Sequence, residues 1–589
     1  MTAQQGAAAP TQVADPRRWK ALAVVLIATF MILLDISIVN VAIPSIQRDL
    51  GATYAEIQWV LAGYQLAYAV VLITGGRLGD IFGRKRLFII GVSGFTLASA
   101  LCGLAQNPVM LVASRIVQGL MAALMYPQVL SVIQVGFPPR ERGTAFGIFG
   151  GIIGIAAISG PLLGGLLISA DVHIANIALL WRPIFLVNLP IGIGAVIAAS
   201  VYLRESRAPD APRLDIPGTV LATAGLFLIA FPLVEGRDAG WAPWTYLMIV
   251  GGVAVMAIFG RYIRSCARRG GHPLVEPRLF GDRAFVVGSA IAMVFFAGIP
   301  AFFLTFSLYI QIGLGFSALH AGLTTLPWAL AAAIASGISI RLAPRLGKRI
   351  LSLGCIALVI GIAALWLTVK TAGTAVNSYE MIPALALGGV GLGLVVAPLI
   401  NIILAGIQSG FAGSASGVLT TVQQIGGALG VAVIGIIFFG QVSSYAPVVA
   451  QSSAQQLSAQ LTAAGLPPSL VTSTTRVFSR CFIERSTSND PTATLPGCPS
   501  LSDSSAATPC LGPPQGCAVA RILPAVAQEA VAANFDNAFR DALYFELTVF
   551  ALVFLMVFVL PSPTGLYGAV PRPAAAAAAS TAPVATGPA

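Results

Sequence analysis

Charge is what this 589-residue sequence has least of: only 9% of its residues are Asp, Glu, Lys or Arg, against roughly 25% in a soluble domain. A chain of this size cannot cover a water-facing surface with so few charges, so most of it must face lipid. Histidine is scarcer still. His173, His272 and His320 lie far apart, and no metal-ligand spacing is present. There is no Gly-Lys-Ser/Thr phosphate loop and no hydrophilic stretch long enough to hydrolyse a nucleotide. Metal-dependent and ATP-driven chemistry are therefore not expected, nor is an enzyme, and no cofactor is called for. A cleavable leader is missing as well: residues 1–18 are polar, and no small-residue cleavage site follows the first apolar run, which is expected to stay as an anchor. The net charge of +11 could suggest nucleic acid, but the basic residues sit in short clusters between apolar runs. That is the pattern of membrane topology, and no nucleic-acid partner is expected.

What the sequence has is long apolar runs, with 57% hydrophobic residues overall. A spanning helix needs about 20 such residues. Fourteen runs qualify: 20–44, 57–76, 87–106, 109–135, 144–168, 180–203, 216–234, 245–263, 284–312, 320–340, 350–369, 380–404, 414–440 and 541–560. With the N-terminus in the cytoplasm, the basic clusters (among them Arg17-Arg18, Arg84-Lys85-Arg86, Arg140 with Arg142, Arg268-Arg269 and Lys348-Arg349) all fall inside. The short outer loops then hold only Arg48, Arg182, Arg237 and Lys370. Positive charge favours the inner side, so the partition predicts a multi-pass protein of the cell membrane with both termini cytoplasmic.

One loop organises the chain. Gly76-Arg77-Leu78-Gly79-Asp80-Ile81-Phe82-Gly83-Arg84-Lys85-Arg86 joins the second and third runs. It recurs as Arg341-Leu342-Ala343-Pro344-Arg345-Leu346-Gly347-Lys348-Arg349, with Asp80 opposite Pro344. A duplicated loop in two hydrophobic halves points to an internally repeated transporter. The expected order is a tail (1–19), a six-helix bundle (20–203), a linker with two extra spans (204–283), a second six-helix bundle (284–560) and a disordered tail (561–589). The second bundle carries one long outer segment, 441–540, rich in Ser, Thr, Pro and Ala. Cys481, Cys498, Cys510 and Cys517 in that segment suggest two disulfides, because the outer side is oxidising, and three pairings are open. The alternative is a poorly ordered loop with incidental thiols.

Polar residues inside the runs are the candidate machinery, because charge in a span is costly. Asp35, with Asn40 five residues on, would cost about 3 kcal/mol against lipid. It is expected to face a cavity and to exchange a proton, although a structural hydrogen bond is the other reading. Arg115, Gln118 and Gly119 share one helical face. A permanently charged Arg115 can tune a neighbouring carboxyl, or clamp backbone carbonyls. Gly160-Pro161 with Gly164-Gly165 reads as a hinge or packing seam, and Gln423 to Gly430 as a second seam. Tyr64, Gln65 and Tyr68 are candidates to line a cavity. Glu380 and Glu546 are placed near outer ends; either could be a second carboxylate, and the interfacial reading is preferred for both.

Together these motifs resemble the major facilitator superfamily, and within it the fourteen-helix drug:proton antiporters. The loop Gly76–Lys85, the stretch Leu34–Pro44, the Arg115/Gln118/Gly119 set and Gly160–Gly165 are similar to signatures of that family, with Ala156 where a glycine is expected. Trp181–Gly192, His272-Pro273-Leu274, Arg278-Leu279-Phe280 and Tyr309-Ile310-Gln311 are similar to stretches of this subfamily. The resemblance implies an all-α membrane fold of two rocking six-helix bundles with two extra central helices, driven by the proton gradient. It implies proton coupling through Asp35 and Arg115. It also implies an inner gating loop of Gly76, Asp80, Gly83, Arg84 and Lys85, which Asp80 holds shut through Arg142 and a helix N-terminus, and an export bias from Gly160, Pro161, Gly164 and Gly165. Asn40, Tyr64, Tyr68, Gln118, Tyr309 and Gln311 are the candidates for a substrate cavity. The expected function is proton-coupled export of amphipathic drugs or toxic metabolites. The rival readings are a dedicated exporter of a lipid or glycolipid, with an envelope partner reached through 441–540, and a membrane sensor or scaffold that moves nothing.

Overall fold

A computed structural model describes residues 16–561, apart from 171–172, 175–176, 208–213, 237–238, 272, 406, 408–411, 489–497 and 499–513. Some side chains within helices, Arg142 among them, are also outside the described set. The expected tail 561–589 falls almost wholly outside it.

Every expected span falls in a helix. The first half comprises α1 (Arg18–Leu50), α2 (Tyr54–Phe82), α3 (Arg84–Gly103), α4 (Pro108–Gly136) and α5 (Pro139–Ser169), followed by α6 (Pro183–Leu186) running into α7 (Asn188–Tyr202). Two helices follow, α8 (Ile216–Glu235) and α9 (Pro243–Arg268). The second half contains α10 (Arg283–Leu308), α11 (Ala318–Leu346), α12 (Arg349–Ala372), α13 (Ser378–Ala405), α14 (Ala412–Ala463), α15 (Pro468–Thr487) and α16 (Pro514–Val559). Among the described residues, 13 helices are long and apolar enough to cross a membrane. The fifth expected span lies in α5, of which only Ser159–Ser169 is described as a continuous apolar stretch.

The helix ends follow local chemistry. Thr53 and Glu56 form a reciprocal capping box at the start of α2, and Asn107, Asp282 and Ser317 accept from backbone N–H groups at the starts of α4, α10 and α11. The duplicated loop is a duplicated turn. Gly83 and Gly347 both have positive φ (111° and 53°), each between the end of one helix and the start of the next. A side chain at either position would be strained.

The outer segment departs from expectation. α14 runs 52 residues and α16 runs 46, so both continue far past the span that each contains. With α15 they build a helical extension that has its own core of Val449, Leu457, Leu461, Val471, Phe478, Phe482 and Val526. Cys481 is disulfide-bonded to Cys498, and Cys517 is disulfide-bonded as well; Cys510 lies outside the described residues. The reading of 441–540 as a long loop is corrected. Its Ser and Thr content masked an apolar repeat at helical spacing, and composition weighs less than periodicity.

The two halves meet at the extension end. Tyr54 stacks on Phe439 at 3.7 Å. The glycines of α5 let helices approach closely: Gly160 and Gly164 receive Ser37 and Ile38 of α1, and a Cβ at Gly165 would lie 2.8 Å from the Ala318 carbonyl oxygen of α11. Pro161 sits inside α5, with its carbonyl oxygen against Gly322. Gly426 and Gly430 of α14 receive the backbone of α10 in the same way. α8 packs on α9, α2 and α14, so the extra pair is seated across the seam between the halves.

Candidate transport site

α1 carries two chemistries on opposite faces. Successive helical residues turn by about 100°, so Ser37 and Asn40 point roughly opposite to Asp35. Asp35 faces the interior of the first half and is fully buried at 0% exposure. Arg115 Nη1 donates to Asp35 Oδ2 at 2.5 Å, while Gln118 Nε2 and Asn188 Nδ2 donate to Oδ1 at 2.8 and 3.2 Å. Three donors and no acceptor suit a carboxylate rather than a carboxylic acid. Arg115, 1% exposed, also donates to the Gln118 side chain at 2.7 Å and to the Val60 carbonyl at 3.1 Å, and lies 4.2 Å from the Tyr64 ring centroid. Ser99 closes the network: it accepts from Gln118 and Asn188 and donates to the Phe185 carbonyl. The expectation that Asp35 faces a cavity is corrected. A buried charge needs either water or a partner, and here it has a partner.

The other face of α1 lines a cavity of about 190 Å³ between the halves. Ser37, Asn40, Val41 and Pro161 come from the first half; Ile299, Phe303, Phe306, Ser307, Gln311, Thr325 and Trp328 are among the lining from the second. Ser307 Oγ donates to the Asn40 carbonyl at 2.7 Å and Gln311 Nε2 to the Val41 carbonyl at 3.0 Å, tying the halves together at the cavity wall. One buried acceptor and one buried donor are left without partners, Asn40 Oδ1 and Trp328 Nε1. The site is thus an aromatic and aliphatic chamber in which Asn40 Oδ1 and Trp328 Nε1 are unpartnered atoms of lining residues.

Of the six residues expected at a cavity, Asn40 and Gln311 line this one. Tyr64, Tyr68 and Gln118 do not: the tyrosines join an aromatic row with Tyr126 inside the first half, and Gln118 belongs to the Asp35 network. Tyr309 does not either. It is buried against Phe539 of α16 at 4.5 Å and donates to Asp536 at 3.3 Å. Span position alone does not show which way a side chain points. Ser99, Asn188, Ser307 and Trp328 were missed. A lone polar residue in an apolar run is the signal for the first three; Trp328 has none.

At the opposite end, the loop after α2 is tied to the linkers. Asp80 pairs with Arg84 at 2.8 Å, and the Arg142 side chain expected beside it lies outside the described residues. The Arg84 amide donates to the Ser206 carbonyl and the Lys85 amide to Glu205. Arg77 donates to the Pro273 carbonyl, which fastens the loop to the segment after α9. Gly76 packs on Pro127. Arg18 pairs with Glu141 at 2.7 Å, holding that carboxyl below its ordinary range. Among the described residues no group of His, Cys, Asp and Glu is placed to hold a metal ion.

The model of the Major Facilitator Superfamily matches residues 25–431. The chain belongs to this superfamily. Among its relatives, a probable actinorhodin transporter of Streptomyces coelicolor is 39% identical over 92% of each chain. The puromycin resistance protein of Streptomyces alboniger is 36% identical over 74% of this chain and 85% of its own. The tetracenomycin C resistance and export protein of Streptomyces glaucescens is 33% identical over 73% of this chain and 78% of its own. The fold also matches a bacterial homologue of the human lysosomal transporter Spinster, solved inward-facing and unoccupied, with a TM-score of 0.60 at 17% identity over 93% of this chain and 98% of that one. A superfamily member with relatives of this kind is a multi-pass membrane transporter rather than an enzyme.

Proposed function

We propose that this protein exports flat, largely apolar antibiotics or toxic metabolites from the cytoplasm in exchange for protons. The observation that carries the reading is α1 itself, which lines the interfacial cavity on one face and holds the buried Asp35–Arg115 pair on the other. Protonating Asp35 removes the charge that Arg115 pairs with and replaces an acceptor by a donor. A donor must then move: Arg115 if the proton is on Oδ2, or Gln118 and Asn188, which both donate to Oδ1, if it is there. A shift of α1 is felt directly in the cavity wall, because Ser307 and Gln311 bond to its carbonyls. The cavity favours ring systems that stack on Phe303, Phe306 and Trp328 and carry at least one acceptor and one donor. The relatives named for actinorhodin, puromycin and tetracenomycin C support export as the direction.

The protein resides in the cell membrane with both termini cytoplasmic and the helical extension outside. The basic clusters support this orientation, and so does the Cys481–Cys498 disulfide, a bond that persists on an oxidising side. The test is ethidium accumulation in inside-out vesicles under an imposed pH gradient. Wild type is expected to accumulate the dye, and Asp35→Asn at equal protein level is expected to lose at least tenfold of the rate. Equal uptake by both would remove Asp35 from the coupling.

A further inference from the structure

A second acid lies in the other half, and nothing above uses it. Glu546 of α16 is fully buried, and neither of its carboxyl oxygens has a hydrogen-bond partner. It was expected near an outer end of its span. It instead faces Gly298, at mid-length of α10: a Cβ there would lie 2.9 Å from Oε2 and 2.9 Å from the Phe550 ring. The glycine leaves the room that the carboxyl fills. Adjacent to it, Ile299 lines the cavity, as does Phe303 further along. One helix therefore separates Glu546 from the cavity, just as α1 separates the cavity from Asp35.

Among the described residues no cation pairs with this acid. α10 carries a single charge, Arg283, at its far end. On α12 the titratable groups are Arg349, at the end where neighbouring Lys348 bonds the last carbonyls of α16, Cys355, and Lys370, whose ammonium sits over the Trp366 ring. Tyr445 of α14 is bonded to Asp541, and Tyr309 to Asp536, which pairs with Arg540. Tyr544, two residues away, meets Trp366. An isolated carboxylate in such surroundings costs several kcal/mol, so in this packing the group is the neutral acid. A leucine would fill the same space without leaving polar atoms unpaired. The carboxyl is thus a cost to packing that needs a reason.

We propose that Glu546 is a proton-binding site of the second half, loaded while α16 packs on α10 and discharged when the two helices part. The step is –COOH ⇌ –COO⁻ + H⁺, with the proton passing to water that enters as the helices separate. Together with Asp35 it gives each half one proton-carrying acid behind the cavity helix. The site stands by itself; only its consequence, a second proton per transport cycle, rests on the proposed exchange mechanism.

The test is infrared spectroscopy of the purified full-length protein in lipid nanodiscs as pH is raised. Wild type is expected to show at neutral pH the C=O stretch of a protonated carboxyl, lost reversibly on alkalinisation. Glu546→Gln, which matches the neutral acid in shape, is expected to lose that band, and Asp35→Asn to keep it. Gly298→Ala keeps the acid but crowds Oε2, and is expected to shift the band. An unchanged spectrum in Glu546→Gln would overturn the proposal. A band that persists at every pH at which the protein stays folded would also overturn it. In vesicles with ethidium as the probe, Glu546→Gln is expected to exchange about half as many protons per dye as wild type, and an unchanged ratio counts against the proposal. If wild type moves no ethidium, the exchange mechanism fails while the spectroscopic result stands.

Discussion

The two halves bury an acid behind the cavity in opposite ways. In the first, Asp35 is held by Arg115, Gln118 and Asn188 in a network drawn from α1, α3, α4 and α7. In the second, neither oxygen of Glu546 has a hydrogen-bond partner, and its carboxyl faces Gly298 beside the Phe550 ring. The sequence repeat extends to the loop, its basic residues and its glycine turn, but not to the buried acids. The difference teaches that a duplicated scaffold does not fix its titratable groups: the acids lie on non-equivalent helices, α1 and α16, and their neighbouring side chains decide how each is held.

Removing Arg115 should break this comparison most severely. Arg115→Ala leaves Asp35 buried and unpaired, a loss of about 3–5 kcal/mol. The expected outcome is a large fall in the unfolding temperature of the detergent-purified protein. Glu546→Gln, which strands no charge, should leave that temperature close to wild type. The double variant Asp35→Asn with Arg115→Gln sharpens the contrast. It should recover most of the stability lost in Arg115→Ala and still fail to couple dye flux to the pH gradient, as measured in vesicles.

A smaller effect is expected at the seam. Gly165→Val drives a branched side chain into the Ala318 backbone, an overpacking cost of about 1–3 kcal/mol. Because the contact joins the halves, transport should fall more than stability does. Equal transport would mean that α5 and α11 keep their distance through the cycle. Within the cavity, Trp328→Phe keeps the ring but removes the free N–H. A hydrogen bond is worth about 1 kcal/mol, so substrates that use it should bind about fivefold more weakly, while dyes lacking an acceptor should be unaffected. Competition binding to purified protein measures both. The smallest effect belongs to Glu141. Its carboxyl is held below its ordinary range by Arg18, so the pair contributes above the unfolded value and is lost as pH falls through the folded one. Arg18→Gln should flatten the acid limb of the stability–pH curve slightly, lowering stability a little at neutral pH and leaving it unchanged well below the folded value.

The membrane fold was legible because lipid imposes a simple rule. Apolar runs of a fixed length must be helices, and basic clusters report the sides. That rule located the apolar helices, thirteen of which qualify as spans among the described residues, the duplicated turn at Gly83 and Gly347, and the charged pair Asp35 and Arg115. It failed where lipid is absent. The extension follows water-soluble packing, in which a moderate apolar stripe such as Val449, Leu457 and Leu461 suffices to make a helix.

The sequence by itself thus determined the class of molecule, the two-half plan and Asp35 as a charge within a span, because hydrophobic length and charge inside an apolar run are properties of the chain. Tertiary structure alone decided direction and partnership. Tyr309 turns to α16 rather than the cavity, Asp35 turns away from the cavity to Arg115, and Glu546 is met by Gly298 rather than by a cation. The reason is geometric: each pairing joins residues on different helices, and no one-dimensional spacing encodes which faces of two helices will meet.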